Sequence, residues 1–175
     1  MSLAALLQNA VADTGVDDLS KSQAFTVNAS IVKGCTLGSG ATDVTSLGTL
    51  SFGNVSSLDA PVDVASTQNA GSVVIKCTPG VSVTLALGSG NNVTGSVSSG
   101  RKLLKASGTE TLTYQLFQDA AHATVWGDGT NGGSSQVFSS TGAVQEYKIY
   151  ARLLASSTLP SAGNYTDSVL LTVTY

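Results

Sequence analysis

Charge is what this 175-residue sequence has least of: Asp, Glu, Lys and Arg together make up 11%, against about 25% in ordinary soluble domains. Eight basic and eleven acidic residues leave a net charge of −3. That excludes a phosphate-backbone partner, since binding to nucleic acid rests on clustered Lys and Arg. Arg101, Lys102 and Lys105 are the one local basic group, and they read as a solvated strand face. Histidine occurs once, as His122 in Asp119-Ala-Ala-His-Ala, where it reads as a surface residue at a strand end. With no G-x-S-x-G elbow and no other base, a serine hydrolase is excluded despite the abundance of Ser. Aromatics are 6%, too few to furnish a glycosidase with sugar platforms. The carboxylates Asp17, Asp18, Asp59, Asp63, Asp119, Asp128 and Asp167 are scattered rather than paired. No CxxC or Cys/His spacing offers a metal site. Asp128-Gly-Thr-Asn-Gly has the outline of a calcium loop but lacks the spaced carboxylates and closing Glu, so it reads as a turn. No enzyme, cofactor or metal is expected. No apolar run approaches the roughly 20 residues that cross a bilayer.

What the sequence does have is Gly (19 residues) and a hydrophobic fraction of 42%, with Ser and Thr at most polar positions. Short β-branched runs recur between Gly, Ser, Asn or Pro clusters, the signature of a sandwich or barrel. Phe25-Thr-Val-Asn-Ala-Ser-Ile31 alternates with period 2 and puts Phe25, Val27, Ala29 and Ile31 on one face. Leu47 to Phe52 reads as a short strand. Ser72–Cys77 and Ser82–Leu87 flank Thr78-Pro79-Gly80 and read as a hairpin pair. Lys102–Ala106 and Thr109–Gln118 read as a second pair around Ser107-Gly108. Val144–Leu154 and Tyr165–Tyr175 are the longest strands, and Trp126–Gly133 is a loop.

Two features point to export. Met1–Ala12, MSLAALLQNAVA, ends in the A-x-A form of a signal-peptidase site without a basic n-region. It reads as the tail of an export signal, with Asp13 near the mature start. Cys35 and Cys77, the only cysteines, each lie in a strand-like segment. A bridge between them would close a loop of about 40 residues, contribute roughly 3–4 kcal/mol, and belong to an oxidising compartment; two buried free thiols are the other reading. The expected organisation is an N-terminal arm, 1–23, and one sandwich, 24–175.

The last strand, Tyr165–Tyr175, places Val169, Leu171 and Val173 on one face. A sandwich ending there leaves a sheet edge with no following strand, a hazard unless something pairs with it. A strand donated by another chain is one remedy, and Phe25–Ile31 suits that role as well as it suits the first strand of its own sheet. A self-contained secreted coat or carbohydrate-binding module is the alternative, with Trp126, Asp128 and Asn131 as its ligand loop.

Several segments, in order over residues 24–175, resemble the spore-coat-U-domain family, the pilins of archaic (Csu-type) chaperone–usher systems. These are the alternating strand running to Cys35, Leu47-Gly-Thr-Leu-Ser-Phe-Gly53, Ser72-Val-Val-Ile-Lys-Cys77 and Leu112-Thr-Tyr-Gln-Leu-Phe-Gln-Asp119. They continue in Val125-Trp-Gly-Asp-Gly129, Tyr150-Ala-Arg152, Ala162-Gly-Asn-Tyr-Thr-Asp167 and the apolar, Thr-rich run to Tyr175. Ala151 stands where the family often has Gly. The resemblance implies an incomplete immunoglobulin-like β-sandwich, passed by a periplasmic chaperone to an outer-membrane usher. Such subunits polymerise with copies of themselves or sister pilins by donor-strand exchange, into a surface pilus for adhesion and biofilm. It also implies a Cys35–Cys77 disulfide, donor residues Phe25, Val27, Ala29 and Ile31, and an assembly edge at Val169, Leu171, Val173 and Tyr175. The region Ser2–Gln23 lies outside the family pattern, although Leu3, Ala5, Leu7 and Val11 fall on one side of an extended chain.

Overall fold

The computed structural model describes residues 22–93, 95–158 and 160–175, so the export-signal reading of Met1–Ala12, the carboxylates Asp17 and Asp18, and the Leu3–Val11 row lie outside the described residues. The chain divides between Ile31 and Val32. Ser22–Ile31 forms neither helix nor strand, and Phe25, Val27 and Ile31 are 86%, 78% and 89% exposed. Alternation alone makes no strand: among the described residues no backbone pairs with this segment, and unpaired N–H and C=O groups gain nothing over water.

From Val32 onward the described residues form eleven strands and one 3-10 turn, Val97–Ser99. The strands are β1 (Cys35–Leu37), β2 (Val62–Ala65), β3 (Val73–Cys77), β4 (Ser82–Leu87), β5 (Arg101–Lys105) and β6 (Thr111–Phe117). They continue with β7 (Gln136–Ser139), β8 (Gln145–Tyr147), β9 (Tyr150–Leu153), β10 (Tyr165–Thr166) and β11 (Leu171–Thr174). One layer is the five-stranded sheet β10-β5-β6-β9-β2; the other consists of β1-β3-β8 and β11-β4-β7. Between them Val73, Ile75, Val83, Leu85 and Leu87 from one layer meet Tyr114, Leu116, Ala151 and Leu153 from the other. These are alternate positions of their strands, as period-2 geometry requires.

The β5–β6 hairpin forms as its sequence predicts, with Leu103 opposite Leu112. The pairing expected of β3 with β4 does not. β3 pairs β1 and β8, whereas β4 pairs β11 and β7. Gly80 N donates to Ser140 O, and Ser140 N donates to Val81 O (both 2.8 Å). Val81 N donates to Thr78 O (3.3 Å) and Gly80 has φ 76°, so Thr78–Val81 is the turn its composition predicts, but it bends a ladder that runs on past it instead of joining a hairpin. Pro79 stands at the second position of that turn, where its fixed φ fits. Leu47–Phe52, expected as a strand, contributes only an isolated bridge, Gly48 to Ala70. The backbones approach so closely there that a Cβ on Gly48 would collide with the Asn69 carbonyl.

The two long strands expected near the C-terminal end each split in two. β8 lies in one layer and β9 in the other, joined through Lys148 and Ile149. Ser66 holds the crossing: its N–H donates to Ile149 O (2.8 Å), and its Oγ accepts from Ile149 N (2.7 Å). β10 and β11 divide in the same way, β10 pairing β5 and β11 pairing β4.

Candidate assembly edge

The final strand is built by its own alternation. Val169, Leu171 and Val173 turn toward the core and are half-buried, while Leu170 (74% exposed), Thr172 and Thr174 face outward. The three inward side chains rest against the core without being enclosed by it. Along the layer they belong to, β7 and β8 line one side of the bent β3–β4 strand, leaving β1 and β11 on the other. β11 reaches Thr174 opposite Thr84, and β1 begins at Cys35 opposite Cys77. Among the described residues, β11 has no strand on its outer side. Tyr175 closes the sequence half-open to solvent, at 56%.

Cys35 and Cys77 face each other across the β1–β3 ladder and are bridged, with S–S 2.08 Å and Cα–Cα 4.0 Å. Thr78 N donates to Gly34 O at 2.9 Å and extends the same pairing.

Where the last strand changes sheets, one carboxylate gathers the neighbouring chain. Asp167 Oδ1 accepts from Asn91 N (2.9 Å), Asn92 Nδ2 (3.0 Å) and Ser168 N (2.9 Å), and Oδ2 accepts from the Tyr114 hydroxyl (2.7 Å). Tyr114 is 4% exposed. Burial, and then the Asp167 carboxylate, push its phenol well above the ordinary tyrosine range. This bond joins two separate sequence signatures, the Tyr of Leu112–Asp119 and the Asp of Ala162–Asp167.

Trp126-Gly-Asp-Gly129 is likewise structural. Trp126 is 1% exposed and donates from Nε1 to Leu85 O at 3.2 Å, so its ring is part of the core. Asp128 is exposed, but its Oδ1 accepts from Thr130 N (2.7 Å), Thr130 Oγ1 (2.8 Å) and Asn131 N (2.7 Å), an Asx turn that holds its pKa below the ordinary carboxylate value. Asn131 braces the other flank, accepting from Asp128 N (3.1 Å) and donating to Leu87 O (3.0 Å). Gly127 passes so near Asn131 Oδ1 and the Gly133 backbone that no Cβ fits. These hydrogen bonds shape the loop itself, and little of the Trp126 ring reaches the surface beside Asp128 and Asn131.

Two further expectations are corrected. Arg101, read as part of a solvated basic face, is fully buried. Its Nη2 donates to Gly88 O (2.9 Å) and Trp126 O (2.8 Å), its Nη1 to Gln115 Oε1 (2.9 Å), and no carboxylate pairs with it among the described residues. Burial pulls the guanidinium's pKa downward. His122, read as a surface side chain, is nine-tenths covered. Its ring meets Phe117 edge-on, with centroids 4.9 Å apart, and Nδ1 faces Arg152 Nη2 at 3.2 Å. Arg152 in turn grips Asp63 through two bonds of 2.6 and 2.7 Å and fastens β2 to β9.

The fold is thus an all-β, two-layer sandwich stapled by one disulfide, with its last strand on an edge. The chain belongs to the Spore Coat Protein U domain family, whose family model matches residues 21–172. Protein U of Myxococcus xanthus is 30% identical over 148 residues, 81% of this chain and 77% of that protein. Among solved structures, similarity extends to a crystal structure of the CsuC–CsuE chaperone–tip adhesion subunit pre-assembly complex from archaic chaperone–usher Csu pili of Acinetobacter baumannii. There the identity is 18%, the TM-score 0.49, and the coverage 83% of this chain and 40% of that one. A chaperone–tip adhesin complex of CFA/I fimbriae gives 14% identity and a TM-score of 0.41, covering 65% and 35%. The chain thus spans two-fifths or less of the length of these structural neighbours.

Proposed function

We propose that this chain is a structural subunit of a secreted chaperone–usher-type pilus. It polymerises by donor-strand exchange and serves surface adhesion and biofilm formation. The observation that carries the reading is the apolar row Val169, Leu171 and Val173, half-buried on a strand with one neighbour. Such an edge pairs readily with a further extended backbone. The chain's own exposed, alternating Phe25, Val27, Ala29 and Ile31 have the form of that backbone. Covering Phe25, Val27 and Ile31 in a neighbouring subunit contributes roughly 1.5–3 kcal/mol for each side chain. The act is binding without chemistry: main-chain bonds give affinity and alternate side chains give register.

A periplasmic chaperone holds the edge of Val169, Leu171, Val173 and Tyr175 before assembly, and an outer-membrane usher receives the subunit. The disulfide agrees with passage through an oxidising compartment. The test is light scattering and thermal melting of the full chain beside a Phe25→Asp/Ile31→Asp variant. We expect dimers or ladders from the first and a less stable monomer from the second, restored by an added peptide of residues 13–31. Two monomers with equal melting temperatures would refute strand exchange and favour a self-contained module.

A further inference from the structure

Where the β8–β9 strand crosses between layers, the side of the sandwich opens into a cleft of about 330 Å³. Its walls are Gln118 just after β6, the buried edge of Trp126, Gln136 at the head of β7, and Glu146, Tyr147, Lys148 and Tyr150 along the crossing strand. The volume corresponds to about ten waters and falls at the lower end of small-molecule sites. Period-2 alternation turns Glu146, Lys148 and Tyr150 to the same side.

Five carboxylates outside the cleft are committed. Asp63, Glu110, Asp119, Asp128 and Asp167 all accept hydrogen bonds within the fold. Most polar side chains of the cleft are not. Among the described residues, the side chains of Gln136, Glu146, Lys148 and Tyr150 have no hydrogen-bond partner, although Gln136 and Tyr150 are half-buried. Gln118 spends its amide N–H on Ser134 O (2.7 Å) and keeps its carbonyl oxygen free. The floor is rigid: Tyr147 packs on Phe138, centroids 4.4 Å apart, and its hydroxyl accepts from Gln145 Nε2 at 3.0 Å.

The geometry points to a saccharide site, taking one uncharged hexopyranose unit of a surface glycan. Two amides, a carboxylate, an ammonium and a phenol offer interleaved donors and acceptors, as a ring of hydroxyls requires. Glu146 and Lys148 cancel in charge, which disfavours anionic and cationic ligands alike. The Tyr150 ring supplies an apolar face for the C–H side of a pyranose. All of these groups stand on strands or strand ends, which fix them better than loops do. This is a second activity of the subunit, separate from strand exchange and on different residues.

The test is nitrogen-15 chemical-shift mapping on the Phe25→Asp/Ile31→Asp full chain. It is titrated separately with the methyl glycosides of glucose, galactose and mannose and with N-acetylglucosamine. At least one is expected to give saturable shifts confined to Gln118, Gln136 and residues 145–150. Gln136→Ala and Tyr150→Phe should each weaken that binding about tenfold at an unchanged melting temperature. No saturable shift across the panel, shifts outside the cleft, or an affinity untouched by both substitutions overturns the assignment. Because the titrated chain is already deprived of its exposed donor residues, sugar binding and strand assembly succeed or fail separately.

Discussion

Replacing Asp167 by alanine removes the acceptor shared by Tyr114, Asn91, Asn92 and the strand's own Ser168. The largest part of the cost falls on Tyr114, whose hydroxyl is left without a partner at 4% exposure. A buried donor orphaned in this way costs about 1–3 kcal/mol. The donors from Asn91 and Asn92 lie nearer solvent and recover part of their loss from water. The expected total is about 3 kcal/mol, which for a domain of this size lowers Tm by about 6–12 °C. Tyr114→Phe removes the same bond from the other side but leaves Asp167 its remaining donors, so it should cost less, about 1–2 kcal/mol. Urea unfolding of both single variants and the double variant measures the coupling, expected at about 1–2 kcal/mol. A coupling near zero, or an Asp167→Ala variant within about 0.5 kcal/mol of the parent, would refute the view that this carboxylate anchors the sheet-changing strand.

Reducing the disulfide, or replacing both Cys35 and Cys77 by Ala, frees a sequence separation of 42 and should cost about 4 kcal/mol in denaturant titration. Arg101→Ala strips a donor from the Gly88 and Trp126 carbonyls and from Gln115, so a loss of about 3–5 kcal/mol is expected by thermal melting. Arg101→Lys should recover little of it, because an ammonium lacks the fork that spans those acceptors. Glu110 is held down to about 2 from its ordinary 4.5 by Ser161 first and Lys105 next. A lowered acid stabilises above its unfolded pKa, so its contribution is complete above pH 4.5 and lost as pH falls toward 2. Glu110→Gln should therefore flatten the acid limb of the stability curve over that window while leaving the neutral region nearly unchanged.

The parts of the fold legible in the sequence are those set by local alternation. β5–β6 and the inward row Val169, Leu171, Val173 needed only period-2 spacing and a Ser-Gly turn. β3 and β4 were misjoined because Thr78-Pro79-Gly80 has the composition of a turn. What carries the ladder past that turn is Ser140, some sixty positions away in sequence yet bonded to Cys77 O through its Oγ at 3.0 Å. β2 and β7 are too short for alternation to mark them, and only their partners β9 and β4 reveal them. The buried state of Arg101 was illegible for a related reason, since its acceptors are mainly carbonyls of distant residues rather than a complementary acid. Trp126 sits in a loop by composition, while its ring belongs to the core. The Asp167–Tyr114 bond is the recoverable miss: each residue was already marked within a family signature, and only their meeting was hidden.

The position of the disulfide has a mechanical meaning for any fibre made of such units. Tension applied to the segment ahead of Cys35 meets the bonds of Gly34 to Thr78 and then passes through the sulfur bridge to Cys77 in β3. Residues 36–76 are bypassed and carry none of the pull. The route bypasses the three-residue β1 ladder as well, so its few hydrogen bonds are not asked to resist shear. A three-residue strand thus becomes a covalent shackle, and in a strand-exchanged fibre yielding would fall on the contacts between subunits, which can re-form after they part.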